Sequence, residues 1–211
     1  MERRELDFVV LNQGYACVNG RLLKHEAKGN ALLSELYRGY IGDWPKFFKM
    51  DTLSKAGFVA SELLFNEIGF ERYNCEEFTQ DVAVVLFGST ASLCADLNYQ
   101  ETIQNGDNYY PSPALFVYTL PNIVTGEIAI RNHLRGETSF YVLEAPDADQ
   151  MAFHLSCAFD DSVTDSILAG WVDSRMNDDF QAFMTVIHRE DVKDMDWLTG
   201  QLRKMIYNLN K

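Results

Sequence analysis

Apolar residues recur along this chain with two periods, and the way those periods alternate predicts a layered α/β fold. Leu6 to Leu11 reads as a first strand, followed by a loop punctuated by Gly and Asn. Residues 30–42 have helical spacing as far as the breaker run "RGYIGDWP". In "KMDTLSKAGFVASELLFNEIG", Leu53, Ala56, Ala60, Leu63 and Leu64 share one helical face, with Asp51 or Thr52 as N-cap and Gly69 as stop. "DVAVVLFGS", Asp81 to Ser89, is apolar on both faces, which marks a strand whose sheet is covered by helices on both sides.

A short helix is expected around Ala95–Gln104, then the turn-rich "NGDNYYPSP". Ala114 to Leu134 is apolar with Pro121, Asn122 and Gly126 set into it, and reads as a long, partly distorted buried helix. Ser139–Leu143 is the next strand. The helix after it runs from about Asp147 to Phe159, with Asp147 and Gln150 at capping-box spacing. "TDSILAGWVDS" and "FQAFMTVIH", joined by the polar turn "RMNDD", read as an antiparallel pair. Val192, Met195, Leu198, Leu202, Met205 and Leu209 make the stripe of a terminal amphipathic helix. The expected order is β-α-β-α-β-α-β-β-α: one domain over residues 1–211, a mixed five-stranded sheet with helices on its faces and a C-terminal helix.

Composition narrows the function. The chain has 211 residues, 47% of them hydrophobic, and a net charge of −13. Length and apolar content suit a single substantial core. The acidic residues are dispersed and no basic cluster interrupts them, so neither nucleic acid nor an anionic membrane surface is an expected partner. The longest uncharged stretch, Asn108 to Thr125, holds Pro111, Pro113 and Pro121 and is too broken for a membrane span. "MERRELDFVV" enters a strand directly, without the apolar region of a signal peptide. Cys17, Cys75, Cys94 and Cys157 are far apart and form no CxxC pair, so reduced, buried thiols and a cytoplasmic setting are expected.

No cofactor or metal is expected either. His154 has no second ligand at metal-binding spacing and reads as a structural histidine. "DSRMNDD" and "REDVKDMD" lack the calcium-loop pattern, and "FGSTAS" lacks the ending of a phosphate loop.

The stretch "GETSFYVLEAPDADQMAFHLS", Gly136 to Ser156, reads as strand, tight elbow at Glu144-Ala145-Pro146, then helix. Such elbows often mount a nucleophile, yet this one offers a methyl group. Glu144 could act as a base beside Asp147 or Asp149, but as a strand-end residue ahead of two helix-start carboxylates it needs no such role.

Three segments carry a resemblance: "FFKMDTLSKAGFVASELL", "PSPALFVYTLPNIVTGEIAIRNHLRGET" and "DSILAGWVDS". In order and spacing, over roughly residues 45–190, they resemble the N-terminal half of the β-ketoacyl synthases of the thiolase-like superfamily, with Asn122, Gly126 and Gly136 in place. The resemblance implies a thiolase-like half-fold. It also implies a nucleophile cysteine at a helix N-terminus, where dipole and backbone amides lower the thiol pKa and hold the oxyanion. Counted from Gly136, that position falls on Ala145, and neither neighbouring register supplies Cys, Ser or Thr. Cys157 lies about three helical turns further on and cannot replace it.

His25, His133, His154 and His188 match none of the catalytic positions, which the family carries in a second half that this chain ends before. The expected role is therefore a non-catalytic, ketosynthase-like protein of chain-length-factor or scaffold type. Its setting would be fatty-acid or polyketide-type biosynthesis, such as an aryl-polyene pigment pathway. A homodimer or a heterodimer with a ketosynthase is expected through the strand Ser139–Leu143. Phe116, Tyr118, Asn122 and Gly126, with Tyr109 and Tyr110, are ligand or interface candidates, and Arg131 and Arg135 are candidate contacts for an acidic acyl carrier protein. The alternative is half of a split β-ketoacyl-carrier-protein synthase, or an acyl-transferring enzyme with another site.

Overall fold

The computed structural model describes residues 5–70, 81–107, 109–176 and 178–210; Cys75, Asn108 and Asn177 lie outside the described residues, as does the opening Met1–Arg4. β1 (Phe8–Asn12), β2 (Tyr15–Val18) and β3 (Arg21–Leu22) are followed by α1 (Gly29–Leu36), which runs on as a π-helical turn over Tyr37–Ile41. Then come α2 (Thr52–Glu67), β4 (Val82–Gly88), α3 (Leu93–Glu101), α4 (Pro113–Phe116) and α5 (Ile123–Asn132). The chain closes with β5 (Thr138–Val142), α6 (Ala148–Cys157), β6 (Ser166–Arg175), β7 (Asp179–His188) and α7 (Met195–Leu209).

The strands form one seven-stranded sheet in the order β3-β2-β1-β7-β6-β4-β5, where five strands were expected. The two additional strands lie in the stretch read as loop. Asn19 and Gly20 both have positive φ, 51° and 82°, the conformation of a two-residue hairpin turn, and Val18 pairs with Arg21 across it. Otherwise the expected architecture holds. β4 is parallel to β5 and β6, and β6 and β7 form the expected antiparallel pair from Ser166↔His188 to Arg175↔Asp179.

The central strands feed two cores. Along β4, Val82, Val84 and Leu86 face one layer with α1, α2 and α5, while Ala83, Val85 and Phe87 face the other with α6 and α7. Gly136 ahead of β5 is required by close approach, because a Cβ there would overlap the Val82 carbonyl oxygen. Leu198, Leu202, Met205 and Leu209 of α7 are buried on the second face, at about 1.5–3 kcal/mol each relative to exposure.

Three expectations need correction. The apolar run 114–134 is not one buried helix: Pro113–Thr119 and Ile123–Asn132 meet at 98°. Pro121 supplies no N–H and forces Leu120 into extended backbone (φ −107°, ψ 116°), so the helix must end there, and α4 lies exposed. At the C-terminus, Val192 belongs to a separate 3₁₀ turn, where it packs half-buried against the second core, and Met195 is exposed at the first turn of α7, so the buried stripe of α7 itself begins at Leu198. Of the cysteines, Cys17 is buried, Cys94 half-buried and Cys157 exposed.

Candidate functional site

The elbow stands where the layered topology predicts a ligand crevice. The chain leaving β4 turns to the first face through α3 to α5, while the chain leaving β5 turns to the second face through α6. The loops after two adjacent parallel strands therefore diverge. Leu143 N–H donates to the Gly88 carbonyl at 3.0 Å, and beyond it Glu144 and Ala145 form an exposed bend.

Asp147, not Ala145, is the N-cap of α6. Its Oδ1 accepts the backbone N–H groups of Asp149 at 2.9 Å and Gln150 at 3.0 Å, and the Gln150 side-chain amide donates to Oδ2 at 3.0 Å. The capping spacing is thus realised, with the return bond made to the carboxylate. These hydrogen bonds, led by the Gln150 side chain, hold the Asp147 carboxyl below the usual range. Two amides of the first turn of α6, those of Asp149 and Gln150, are thus already occupied by a carboxylate of the chain. His154 stacks on Tyr141 at 4.3 Å between ring centroids and lies 6.2 Å from Phe87.

Across the crevice, Asp173 at the end of β6 is 1% exposed. It accepts Ser89 N–H (2.7 Å), Thr90 N–H (3.1 Å), both hydroxyls (2.7 and 3.2 Å) and Trp171 Nε1–H (3.1 Å). The loop of "FGSTAS" therefore points its Ser89 and Thr90 amides inward at Asp173, with Ala91 held left-handed at φ 49°. Sequence reasoning did not single out Asp173; the available signal was one carboxylate in the otherwise apolar run "ILAGWVDS".

Arg131 is 10% exposed and donates to Glu62 at 3.2 Å and Asp43 at 2.6 Å, with its guanidinium 5.3 Å from the Trp44 ring centre. Glu62 is fully buried and also accepts Asn132 at 3.0 Å. Arg131 thus ties α5 to α2, with its guanidinium engaged by two carboxylates. Arg135 is exposed in the loop before β5.

Tyr118 is half-buried. Burial first, then the charges of Glu127 and Asp51, push its phenol up to about 12. Asn122 is exposed, and its carbonyl accepts Thr125 Oγ1–H at 2.8 Å and Gly126 N–H at 3.2 Å, opening α5. Phe116 is exposed, 5.3 Å from Tyr99, in a ridge with exposed Tyr109, Tyr110, Leu115, Val117 and Leu120. β5 is an edge strand paired only with β4, and its Val142 is 57% exposed. A polar cavity of about 560 Å³ opens at the β6–β7 turn beside Asn12, Lys28, Arg175 and Gln181; it does not include the elbow.

No family model matches the sequence, and no curated protein matches it. Solved structures do match. The ishigamide ketosynthase/chain length factor aligns over 88% of this chain and 62% of its own, with TM-score 0.59 and 13% identity. The fold is that of ketosynthases and chain length factors.

A ketosynthase in complex with its chain length factor from Xenorhabdus doucetiae aligns over 95% of this chain and 92% of the matched chain, with TM-score 0.57 and 10% identity. A type II polyketide synthase acyl-carrier protein in complex with its ketosynthase bound to the hexaketide aligns over 90% and 65%, with TM-score 0.52 and 11% identity. The chain thus spans less than two thirds of the first and third of these matched chains and nearly all of the second. Among the described residues, no single helix is long and apolar enough to cross a membrane.

Proposed function

We propose that the protein is a non-catalytic, ketosynthase-like subunit of a fatty-acid or polyketide-type pathway, and that it pairs with a ketosynthase in the manner of a chain length factor. The observation that carries this reading is the elbow. Ala145 brings no nucleophile, and the Asp147 carboxylate fills the helix N-terminus where an oxyanion would sit. Acyl transfer through this position has neither its covalent carrier nor its charge stabilisation.

Pairing is supported by the open edge of β5 and the apolar ridge from Tyr109 to Leu120. An unpaired strand edge and clustered exposed apolar side chains are both surfaces that a partner covers. The matched structures join a ketosynthase to a chain length factor or a carrier protein, so those are the partners proposed for this chain. α7 weighs against a split enzyme. It closes the second face, where a separate half would have to dock, and Arg203 pairs with Asp149 on its outer side at 2.8 Å.

The test is co-purification of the tagged chain with ketosynthase from its native cells, with intact mass on both, using wild type and Val142→Pro. In the parallel ladder Leu143 N–H faces β4, so by period-two alternation the Val142 N–H faces the open edge, and proline there spares the sheet. The expected result is a complex with wild type, an unmodified chain, and loss of the complex in V142P at unchanged fold. An acyl adduct on the chain overturns the non-catalytic reading. Recovery of self-paired chain alone overturns the heterodimer.

A further inference from the structure

The sheet register builds the cavity of about 560 Å³ at the β6–β7 turn. On the second face, Cys17, Val10, Phe183 and Trp171 are direct cross-strand neighbours over four strands, and all are buried and apolar. Two residues nearer the β1–β2 and β6–β7 turns, the next row on that face is Tyr15, Asn12, Gln181 and Asp173. The change from apolar to polar falls where the cover runs out: α7 ends at Leu209, which lines the cavity with Asn210.

The polar groups that meet there are largely uncommitted. Asn12 Oδ1 accepts Gly14 N–H at 3.1 Å, which leaves Nδ2 as the donor for a ligand. Gln181 and Asp179 are half-buried, and their side chains have no hydrogen bond or ion pair among the described residues. The same holds for Lys28 and Arg175, two exposed cations on the lining of this cavity in a chain of net charge −13. The backbone that carries Lys28 is fixed. Gly29 N–H donates to the Gln13 carbonyl at 2.7 Å, and Gly29, at φ 57°, packs so closely that a Cβ would lie 3.0 Å from that of Asp178. Asp173 already receives five donors, so Asp179 is the open carboxylate of the lining.

We propose that this cavity is a binding site for a small hydroxylated organic anion. Its carboxylate or phosphate head is taken by Lys28 and Arg175, and its hydroxyl groups by Asn12, Gln181 and Asp179. The volume lies within the roughly 300–1,000 Å³ of small-molecule sites, and charge-assisted bonds to two unpaired cations supply the attraction. The site does not depend on pairing with a ketosynthase, because β2, β1, β7 and β6 line it and the open edge is β5.

The experiment titrates the full chain with citrate, glucose 6-phosphate, glucose and inorganic phosphate, following the side-chain amide NMR signals of Asn12 and Gln181 at low and high salt. Wild type is compared with K28Q/R175Q, with Q181A and with the control K193Q. Expected is saturable, salt-sensitive binding of citrate or glucose 6-phosphate, and which of them binds identifies the head group; glucose should not bind. The double variant should weaken that binding about tenfold or more. Q181A should weaken the organic anion and leave inorganic phosphate as in wild type, and K193Q should change nothing. Unfolding midpoints without probe should match wild type, since Lys28 and Arg175 are exposed. Failure of both organic anions to saturate by about 10 mM overturns the inference, as does equal binding by wild type and K28Q/R175Q. Inorganic phosphate binding as tightly as either organic anion also overturns it, leaving an adventitious ion only.

Discussion

Gln150 and Asp147 hold each other across the first turn of α6: the Gln150 backbone N–H reaches Oδ1 at 3.0 Å, and its side-chain amide reaches Oδ2 at 3.0 Å. This double donation from Gln150 to Asp147 closes the first turn of the helix that follows the elbow.

Restoring the nucleophile alone should therefore fail. In Ala145→Cys the thiol stands exposed ahead of a helix end that already carries a negative charge. Its alkylation rate should follow pH with a midpoint near the ordinary thiol value of about 8.5. In A145C/D147S the amides face a neutral hydroxyl, and the midpoint should fall. A midpoint already depressed in the single variant contradicts the account of a filled helix N-terminus.

Asp147→Ala should cost about 1 kcal/mol at pH 7, the ordinary value of an N-cap carboxylate. The sign of its pH dependence follows from a folded pKa lowered by the Gln150 and Asp149 hydrogen bonds. The stabilisation from ionisation is complete above the unfolded value, about 3.9, and is lost as pH falls through the folded one. Urea midpoints of wild type and D147A should therefore converge in acid, and a gap that widens below pH 4 refutes this.

Asp51 behaves in the opposite sense. Burial is the largest influence on its carboxyl and raises it, against the lowering by Ser54 and Lys55. The protonated form is favoured by folding, so this contribution is present below about 3.9 and is lost as pH rises through the folded value. Asp51→Asn keeps the bond to Ser54 N–H and removes the charge, so at pH 7 it should equal or exceed wild type. Asp51→Ala should lose about 1 kcal/mol. Chemical denaturation of the three proteins at pH 7 decides the order.

Glu62→Ala leaves Arg131 and Asn132 without their buried acceptor and should destabilise by about 3–5 kcal/mol. Arg131→Ala should likewise lower the unfolding midpoint. If R131A folds as wild type and weakens only carrier binding, the assignment of Arg131 to the fold is wrong.

Much of this was legible along the chain because local rules operate there. The two-faced apolarity of β4, the Asp51 and Asp147 caps and the β6–β7 pair were readable from period and cap chemistry. Two local signals carry more than the sequence reading takes from them: Asn19-Gly20, whose left-handed pair makes the β2–β3 hairpin, and Pro121, which reads as a distortion and here ends the helix.

The candidate site divides the same way. By itself the sequence determined that Glu144-Ala145-Pro146 is an elbow between strand and helix and that it holds no nucleophile, since both depend on residue identity and on neighbours a few positions away. Only the tertiary structure decided the roles of Asp173 and Arg131, because their partners lie far away in sequence: Ser89 and Thr90 for one, Glu62 and Asp43 for the other. A cation near an elbow reads the same whether it faces solvent or a buried glutamate. Which it faces is settled when α2 and α5 pack.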